Sequence, residues 1–264
     1  MSESKLDPDG QGIFALLSWA AAGEAITVRD DRCGLGALSD VAALDRRKGG
    51  RLQLVDTGRF GSPELEWLAQ AGADIYTSDE SGRGPAELSL LVKSAARAGA
   101  FVAHFHYGPV SDALAEAALT GLYLHVSNRE QPRDLEALGG LAYGCRRAGA
   151  WLVYYHHGPV TAGLEAVAGN GGWVHLSDES VPGGEGLAPL LDAARDAAAA
   201  GAGIVVHLDN GLDPSAVDDF MKAGAFVIFR KPHDFRSLLR GLERRAARRA
   251  LDIRAYYLTP DFLP

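Results

Sequence analysis

The chain has 264 residues, of which 47% are hydrophobic and 23% charged, and its formal net charge is −8. An acidic surface repels the phosphate backbone of nucleic acid, so nucleic acid is not an expected partner. The two cysteines, Cys33 and Cys145, exclude a disulfide framework and a cysteine-rich zinc site.

The first fifty residues predict two helices around a strand. Residues 12–23, GIFALLSWAAAG, predict an apolar helix, residues 24–31 a strand and residues 34–47 a second helix. This segment either covers the floor of the domain or supplies its first strand, in which case the last repeat is an extra one. We favour the first alternative, an N-terminal helical extension of residues 1–50 that packs on a domain of residues 51–264.

From residue 51 the chain repeats with a period of about fifty residues. Four apolar runs close on Gly58, Gly108, Gly158 and Gly211, at gaps of 50, 50 and 53 residues. Each run is followed by a helix, a second strand and a second helix. The phrases AHFHYGPV, from Ala103, and VYYHHGPV, from Val153, belong to two of these runs.

Four such β-α-β-α repeats contain eight strands that alternate with eight helices. This pattern predicts an α/β protein with a parallel sheet, and its count and size match a (β/α)8 TIM barrel. The competing architecture is an open doubly wound sheet. No nucleotide-binding glycine fingerprint follows any strand, so the barrel is favoured.

Aligning the repeats on their glycines places titratable side chains in columns. The last inward position of the odd strands holds Asp56, His106, His156 and Asp209. The position two residues earlier holds Leu54, His104, Tyr154 and His207, and the even strands contribute Tyr76, His125 and His175. Because side chains alternate along a strand, we expect these columns to face the barrel axis at the carboxyl ends of the strands, where barrel active sites lie.

The cluster allows two kinds of chemistry. In one, Asp56, His106, His156 and Asp209 bind a divalent zinc, manganese, iron or cobalt ion, because carboxylate and imidazole suit these metals. In the other, the histidines and aspartates act as acids and bases without a metal, and Lys231 neutralises an anionic substrate or forms a Schiff base.

Two family resemblances bear on the chemistry. His104-Phe-His106 resembles the His-X-His strand of the amidohydrolase barrels, although that motif occupies their first strand and here the third. The run from Asp209 to Lys231, DNGLDPSAVDDFMKAGAFVIFRK, resembles the end of the ribulose-phosphate-binding TIM barrels. That resemblance implies a phosphate near Asn210 and Gly211. The loop after the eighth strand departs from the family, because Arg230 and Lys231 stand where a small glycine-serine turn is expected.

The sequence therefore predicts a cytoplasmic metabolic enzyme with a small anionic substrate, phosphorylated or not, and no membrane partner. We expect an acid–base lyase or isomerase assisted by a metal; the alternatives are a metal-dependent hydrolase and a non-catalytic barrel that serves as a scaffold. The predicted catalytic residues are His106, His156, Asp56, Asp209, His104, His207, His125, His175 and Lys231. The predicted substrate-anion contacts are Arg59, Asn210, Gly211 and Arg230. The apolar end AYYLTPDFLP predicts docking on the domain or on a partner subunit, and so admits a homo-oligomer.

Overall fold

Strands and helices alternate along the described chain as far as residue 208. The structure, a computed structural model, describes residues 5–6, 12–161, 163–177, 180, 187–208, 219–220 and 222–229. It divides into two units, the first comprising residues 1–125 and 147–150 and the second residues 126–146 and 151–264. Among the described residues, every helix is too short or too polar to cross a bilayer.

The first unit contains five complete strands. Its elements are β1 (Lys5–Leu6), α1 (Ile13–Ala22), β2 (Ile26–Arg29), α2 (Leu35–Lys48), β3 (Leu52–Val55), α3 (Ser62–Gln70), β4 (Asp74–Ser78), a 3-10 turn (Asp79–Ser81), α4 (Pro85–Arg97), β5 (Val102–His106) and α5 (Asp112–Ala118). Consecutive strands from β1 to β5 pair in parallel.

The second unit repeats this plan. Two elements, β6 (Tyr123–Ser127) and α6 (Leu135–Arg147), belong partly to each unit. The rest of the second unit is β7 (Leu152–His156), α7 (Leu164–Gly169), β8 (Trp173–Ser177), α8 (Leu187–Ala199), β9 (Ile204–Leu208) and β10 (Phe226–Phe229). Strands β7 to β10 also pair in parallel, each with the next. The predicted fold class, parallel strands that alternate with helices as in a (β/α)8 barrel, is confirmed.

The segment before residue 51 contributes to the sheet. It contains the two predicted helices, and β2 pairs with β3, so that Ile26 lies beside Leu52 and Val28 beside Leu54. Of the two alternatives for this segment, the pairing therefore supports the one in which it supplies a strand. The domain boundary near residue 50 stays a prediction.

Polar side chains and amides cap the helices that follow the strands. The Ser111 hydroxyl accepts a hydrogen bond from the Leu114 amide and caps α5. At α3 and α4 the glutamates of the first turn, Glu64 and Glu87, accept hydrogen bonds from the amides of Gly61 and Gly84. These caps fix where each helix begins, and therefore the path of the loop that precedes it.

The strand register corrects the predicted columns. Residues that face each other in parallel strands share one side of the sheet, and Thr77 pairs with His104 whereas Tyr76 pairs with Ala103. Tyr76 therefore lies on the face opposite His104, and the prediction that both side chains face the barrel axis is wrong. A shift of one residue between strands moves every side chain to the other face.

The same correction applies in the second unit. His175 pairs with Tyr155, and therefore lies on the face opposite Tyr154 and His156. His207 pairs with Ser177, on the face that His175 occupies. The glycine alignment placed His207 in the column of Tyr154, but the third gap, of 53 residues, displaces the glycine from the strand register.

Candidate functional site

One hydrogen-bonding pattern recurs at the carboxyl ends of the strands. The residue directly after β2, β4 or β6 accepts, with its side chain, a hydrogen bond from a backbone amide that lies just after the next strand. That amide belongs to the second residue after β3, and to the first residue after β5 and β7. Asp30 Oδ1 lies 3.2 Å from Thr57 N, Asp79 Oδ2 lies 2.8 Å from Tyr107 N, and Asn128 Oδ1 lies 2.7 Å from His157 N. We call each such pair a loop clamp. Asp79 belongs to the clamp that also carries two histidines.

Asp79 brings His104 and His106 together. Its Oδ1 atom lies 3.0 Å from His104 Nε2 and 3.0 Å from His106 Nδ1. One ligand atom from each of the three residues can be chosen so that all lie within 4.8 Å of one another. The side chain of His104 is 2% exposed and that of Asp79 32%, so one edge of the cluster is open to solvent.

Every remaining polar atom of this cluster has a partner. His104 Nδ1 lies 2.6 Å from the Thr77 hydroxyl, and His106 Nε2 donates to the Pro109 carbonyl at 3.0 Å. Asp79 Oδ2 accepts hydrogen bonds from the amides of Tyr107 and Gly108. The three atoms that face one another, one from each side chain, are therefore held in orientation by the hydrogen bonds that the other polar atoms of those side chains make.

Electrostatics keeps Asp79 ionised. Burial raises the pKa of this carboxyl, but hydrogen bonds from His104, His106 and the two backbone amides outweigh burial and hold it below its ordinary value. An ionised carboxylate and two imidazole nitrogens form a donor set for a divalent transition metal. Hydrogen bonds from the far atoms of the ligands are the support that such sites need. The residues therefore fit a metal, with three protein ligands.

Asp56, a predicted metal ligand, is engaged elsewhere. Arg83 Nε donates to Asp56 Oδ2 at 2.9 Å, and Arg83 Nη2 donates to Asp56 Oδ1 at 3.0 Å. The Gly58 amide donates to the same Oδ1 atom. Arg83 also donates to the Phe60 carbonyl. Asp56 thus joins the loop after β3 to the segment before α4, and its negative charge is already paired.

His156 occupies the corresponding position in the second unit but has different neighbours. Its Nε2 atom donates to the Pro159 carbonyl at 2.9 Å, as His106 Nε2 does to Pro109. Its Nδ1 atom lies 3.3 Å from the Tyr154 hydroxyl. The repeated His-X-Gly-Pro phrase therefore has a structural role in both units, since the imidazole closes the turn by binding the proline carbonyl.

The remaining predicted histidines lie on the other face of the strands. His125 is buried and stacks on Phe105, with ring centroids 4.2 Å apart. Phe105 stands between His104 and His106, so its side chain leaves the strand on the opposite side. His175 Nδ1 and His207 Nε2 lie 3.0 Å apart, which is hydrogen-bond distance.

Arg59, the predicted anion contact, is exposed at the loop after β3. Its Nη1 atom donates to the carbonyls of Asp30 and Cys33 at 3.0 and 3.2 Å, which holds the guanidinium in place. Among the described residues no carboxylate forms an ion pair with it. The predicted residues Asp209, Asn210, Gly211, Arg230 and Lys231 lie outside the described part of the chain.

Sequence reasoning missed Asp79 and Thr77. Asp79 immediately follows β4, at the edge of the sheet where His106 ends β5. A carboxylate directly after a strand could have indicated the site from the sequence, because the carboxyl ends of neighbouring parallel strands lie side by side. Thr77 was missed because the predicted orientation of the β4 side chains was shifted by one residue, which placed Tyr76 instead of Thr77 on the face of His104.

Comparison with known proteins finds likenesses in structure alone. No protein-family model matches the chain, and no curated protein is significantly similar to it. Among solved structures, 3-hexulose-6-phosphate synthase shares 16% identity over 87% of this chain and 89% of its own, with a TM-score of 0.33. A truncated 3-deoxy-D-arabino-heptulosonate 7-phosphate synthase from Thermotoga maritima shares 12% over 94% and 87%, with a TM-score of 0.34. 3-Dehydroquinate dehydratase from Enterococcus faecalis shares 10% over 87% and 89%, with a TM-score of 0.36. At these scores the likenesses carry no conclusion about function.

Proposed function

We propose that this protein is a metal-assisted enzyme of small-molecule metabolism, a lyase or isomerase with an anionic substrate. Asp79, His104 and His106 hold a zinc, manganese, iron or cobalt ion. The observation that carries this proposal is the approach of Asp79 Oδ1 to within 3.0 Å of both imidazoles while their other nitrogens are already engaged. Such an ion polarises a substrate oxygen or lowers the pKa of a bound water molecule.

The cluster has the features of a catalytic centre more than those of a closed structural one. Catalytic metals are held by three protein ligands and leave a position for water or substrate, whereas structural zinc is enclosed by four. Three described residues converge here, and the Asp79 side chain is partly open to solvent. A small substrate can therefore approach from the Asp79 side.

Arg59 is the residue that we assign to the substrate anion. Arg83 is committed to Asp56, so its charge is neutralised within the protein. Within the part of the chain that the structure describes, Arg59 instead hydrogen-bonds to two carbonyl oxygens and lies over the Phe60 ring, contacts that hold the guanidinium without cancelling its charge. Arginine recognises carboxylate and phosphate groups through paired N–H donors.

The acid–base step needs a group that exchanges protons near neutral pH. His175 and His207, whose ring nitrogens lie 3.0 Å apart, remain proposals for an acid–base role in the second unit. Asp209 and Lys231 remain further proposals for this step, and Asn210, Gly211 and Arg230 for anion binding.

A second candidate is hydrolysis with a metal-activated water as nucleophile. It is favoured by the same three-ligand arrangement, which leaves room for water at the metal. The two candidates differ in whether water is consumed. Incubation in ¹⁸O-labelled water places the label at the cleaved bond in the product of a hydrolase, and not in the product of an isomerase or of a lyase that cleaves its substrate by elimination.

The proposal is tested by measuring metal in the full chain purified without chelator. We expect one divalent ion per chain, which is lost in His106→Gln. The matched control is His156→Gln, which changes the corresponding residue of the second unit and should keep the metal. Absence of metal from the wild-type protein, or equal loss from both variants, would contradict the proposal.

A further inference from the structure

The clamp of the second unit repeats the arrangement of the candidate metal site. Asn128 is the first residue after β6, as Asp79 is after β4. Tyr154 and His156 are the third and fifth residues of β7, as His104 and His106 are of β5. Three positions therefore correspond between the two copies, and only the third carries the same residue.

The corresponding atoms make corresponding contacts. The ring centroids of Tyr154 and His156 lie 5.7 Å apart, and those of His104 and His106 lie 6.1 Å apart. Both terminal histidines donate through Nε2 to a proline carbonyl, at 2.9 and 3.0 Å. The backbone scaffold of the metal site is thus retained in the second unit.

Tyr154 changes what His156 offers. Because Nε2 of His156 carries its proton toward the Pro159 carbonyl, Nδ1 accepts the hydroxyl proton of Tyr154 at 3.3 Å. The equivalent Nδ1 atom of His106 faces a carboxylate instead. The lone pair that would bind a metal is therefore occupied.

Asn128 changes the other partner. Its Oδ1 atom accepts a hydrogen bond from His157 N, and its Nδ2 atom donates to His157 O at 2.9 Å. A carboxylate could make the first contact but would be repelled by the carbonyl in the second. Such a carboxylate would rotate away from the carbonyl and accept hydrogen bonds from neighbouring amides with one oxygen, as Asp79 does. Its other oxygen would then be available to bind a metal ion.

We infer that this clamp is a latent divalent-cation site, kept from binding by Asn128 and Tyr154 alone. The inference rests on the proposed function, since it takes the Asp79 cluster as the working copy. The clamp after β2 and β3 is a different case. It has Leu54 and Asp56 at the two strand positions, and Asp56 is paired with Arg83.

The test is the double variant Asn128→Asp/Tyr154→His in the full chain, with zinc as the only added metal. Zinc is counted by titration and by elemental analysis after desalting. We expect the double variant to bind one zinc ion in addition to those of the wild-type protein. That additional ion should be lost when His156→Gln is added. No additional zinc in a folded variant overturns the inference.

A second variant guards against a failure to fold. Asn128→Asp/Tyr154→Phe keeps the aromatic volume and removes the hydroxyl, which leaves two ligands, so it should bind the extra zinc more weakly than the first variant. If neither folded variant gains zinc, the inference is wrong. The proposed function is tested separately. It fails if the His106→Gln variant keeps the metal ion that the wild-type chain binds.

Discussion

The hydroxyl of Thr77 lies 2.6 Å from Nδ1 of His104, across the parallel pair β4 and β5, and both side chains are buried. This contact determines which nitrogen of His104 faces Asp79. A polar atom in the protein interior that loses its partner costs about 1–3 kcal/mol, so the contact is also structural.

Removing the Thr77 hydroxyl should weaken metal binding. We expect Thr77→Val, which keeps the shape of the side chain, to lower the metal affinity about 10- to 100-fold, because the ring of His104 is no longer held in orientation. Thr77→Ser keeps the hydroxyl and should restore most of the affinity. Competition with a chromogenic chelator measures both, and equal affinities in the two variants would remove Thr77 from the site.

Breaking the pair of Asp56 and Arg83 should destabilise the first unit strongly. The side chain of Asp56 is 0% exposed and that of Arg83 9%. We expect Arg83→Met to lower the free energy of unfolding by about 3–5 kcal/mol, because it leaves a buried carboxylate without a counter-charge. The double variant Asp56→Asn/Arg83→Met should recover part of this loss. Urea unfolding measures the series, and additive effects of the two changes would show that the pair is not coupled.

Asp45 should make stability fall as the pH rises. It is buried in α2, and its two carboxylate oxygens have no hydrogen-bond partner among the described residues. Burial, with a smaller contribution from Asp74, raises its pKa to about 6. The folded protein therefore holds this proton more tightly than the unfolded chain, and the stability present below pH 3.8 is lost as the pH rises through 6.

Replacing Asp45 by asparagine removes this charge. We expect Asp45→Asn to raise the free energy of unfolding at pH 8 by about 2–3 kcal/mol and to have little effect at pH 3.5. Asp40→Asn changes an exposed carboxylate of the same helix and serves as the control. A gain of the same size at both pH values would contradict the assignment.

His125 should stay neutral far below the usual range of histidine. Burial, with a smaller contribution from His104, lowers its pKa to about 3. The unfolded chain takes up this proton near pH 6.5, so the stability that His125 contributes is present above that pH and is lost as the pH falls toward 3. In proton NMR, the ring signal that disappears in His125→Gln should not move between pH 8 and 4.5. A midpoint near 6.5 would contradict its burial.

The repeat and the fold class followed from the sequence, because hydrophobic periodicity and turn residues are local properties. The strand predicted for residues 24–31 contains β2, which runs from Ile26 to Arg29. Histidines at the strand ends were also visible as a pattern. The contact of His106 with His104 on one face follows directly from the alternation of side chains along a single strand.

The composition of the candidate site was decided by the tertiary structure. Which side chains of two neighbouring strands share a face depends on the register of the strands. In the observed register, one residue away from the expected one, His175 and His207 lie on the face opposite His156, and Thr77 lies beside His104. Asp79 and Arg83 act through partners about 25 residues away in sequence, Asp79 by joining two imidazoles and Arg83 by neutralising Asp56. Sequence fixes which groups each strand end offers, but hydrogen bonds between neighbouring loops determine which of them meet, because such contacts form only after the strands have paired.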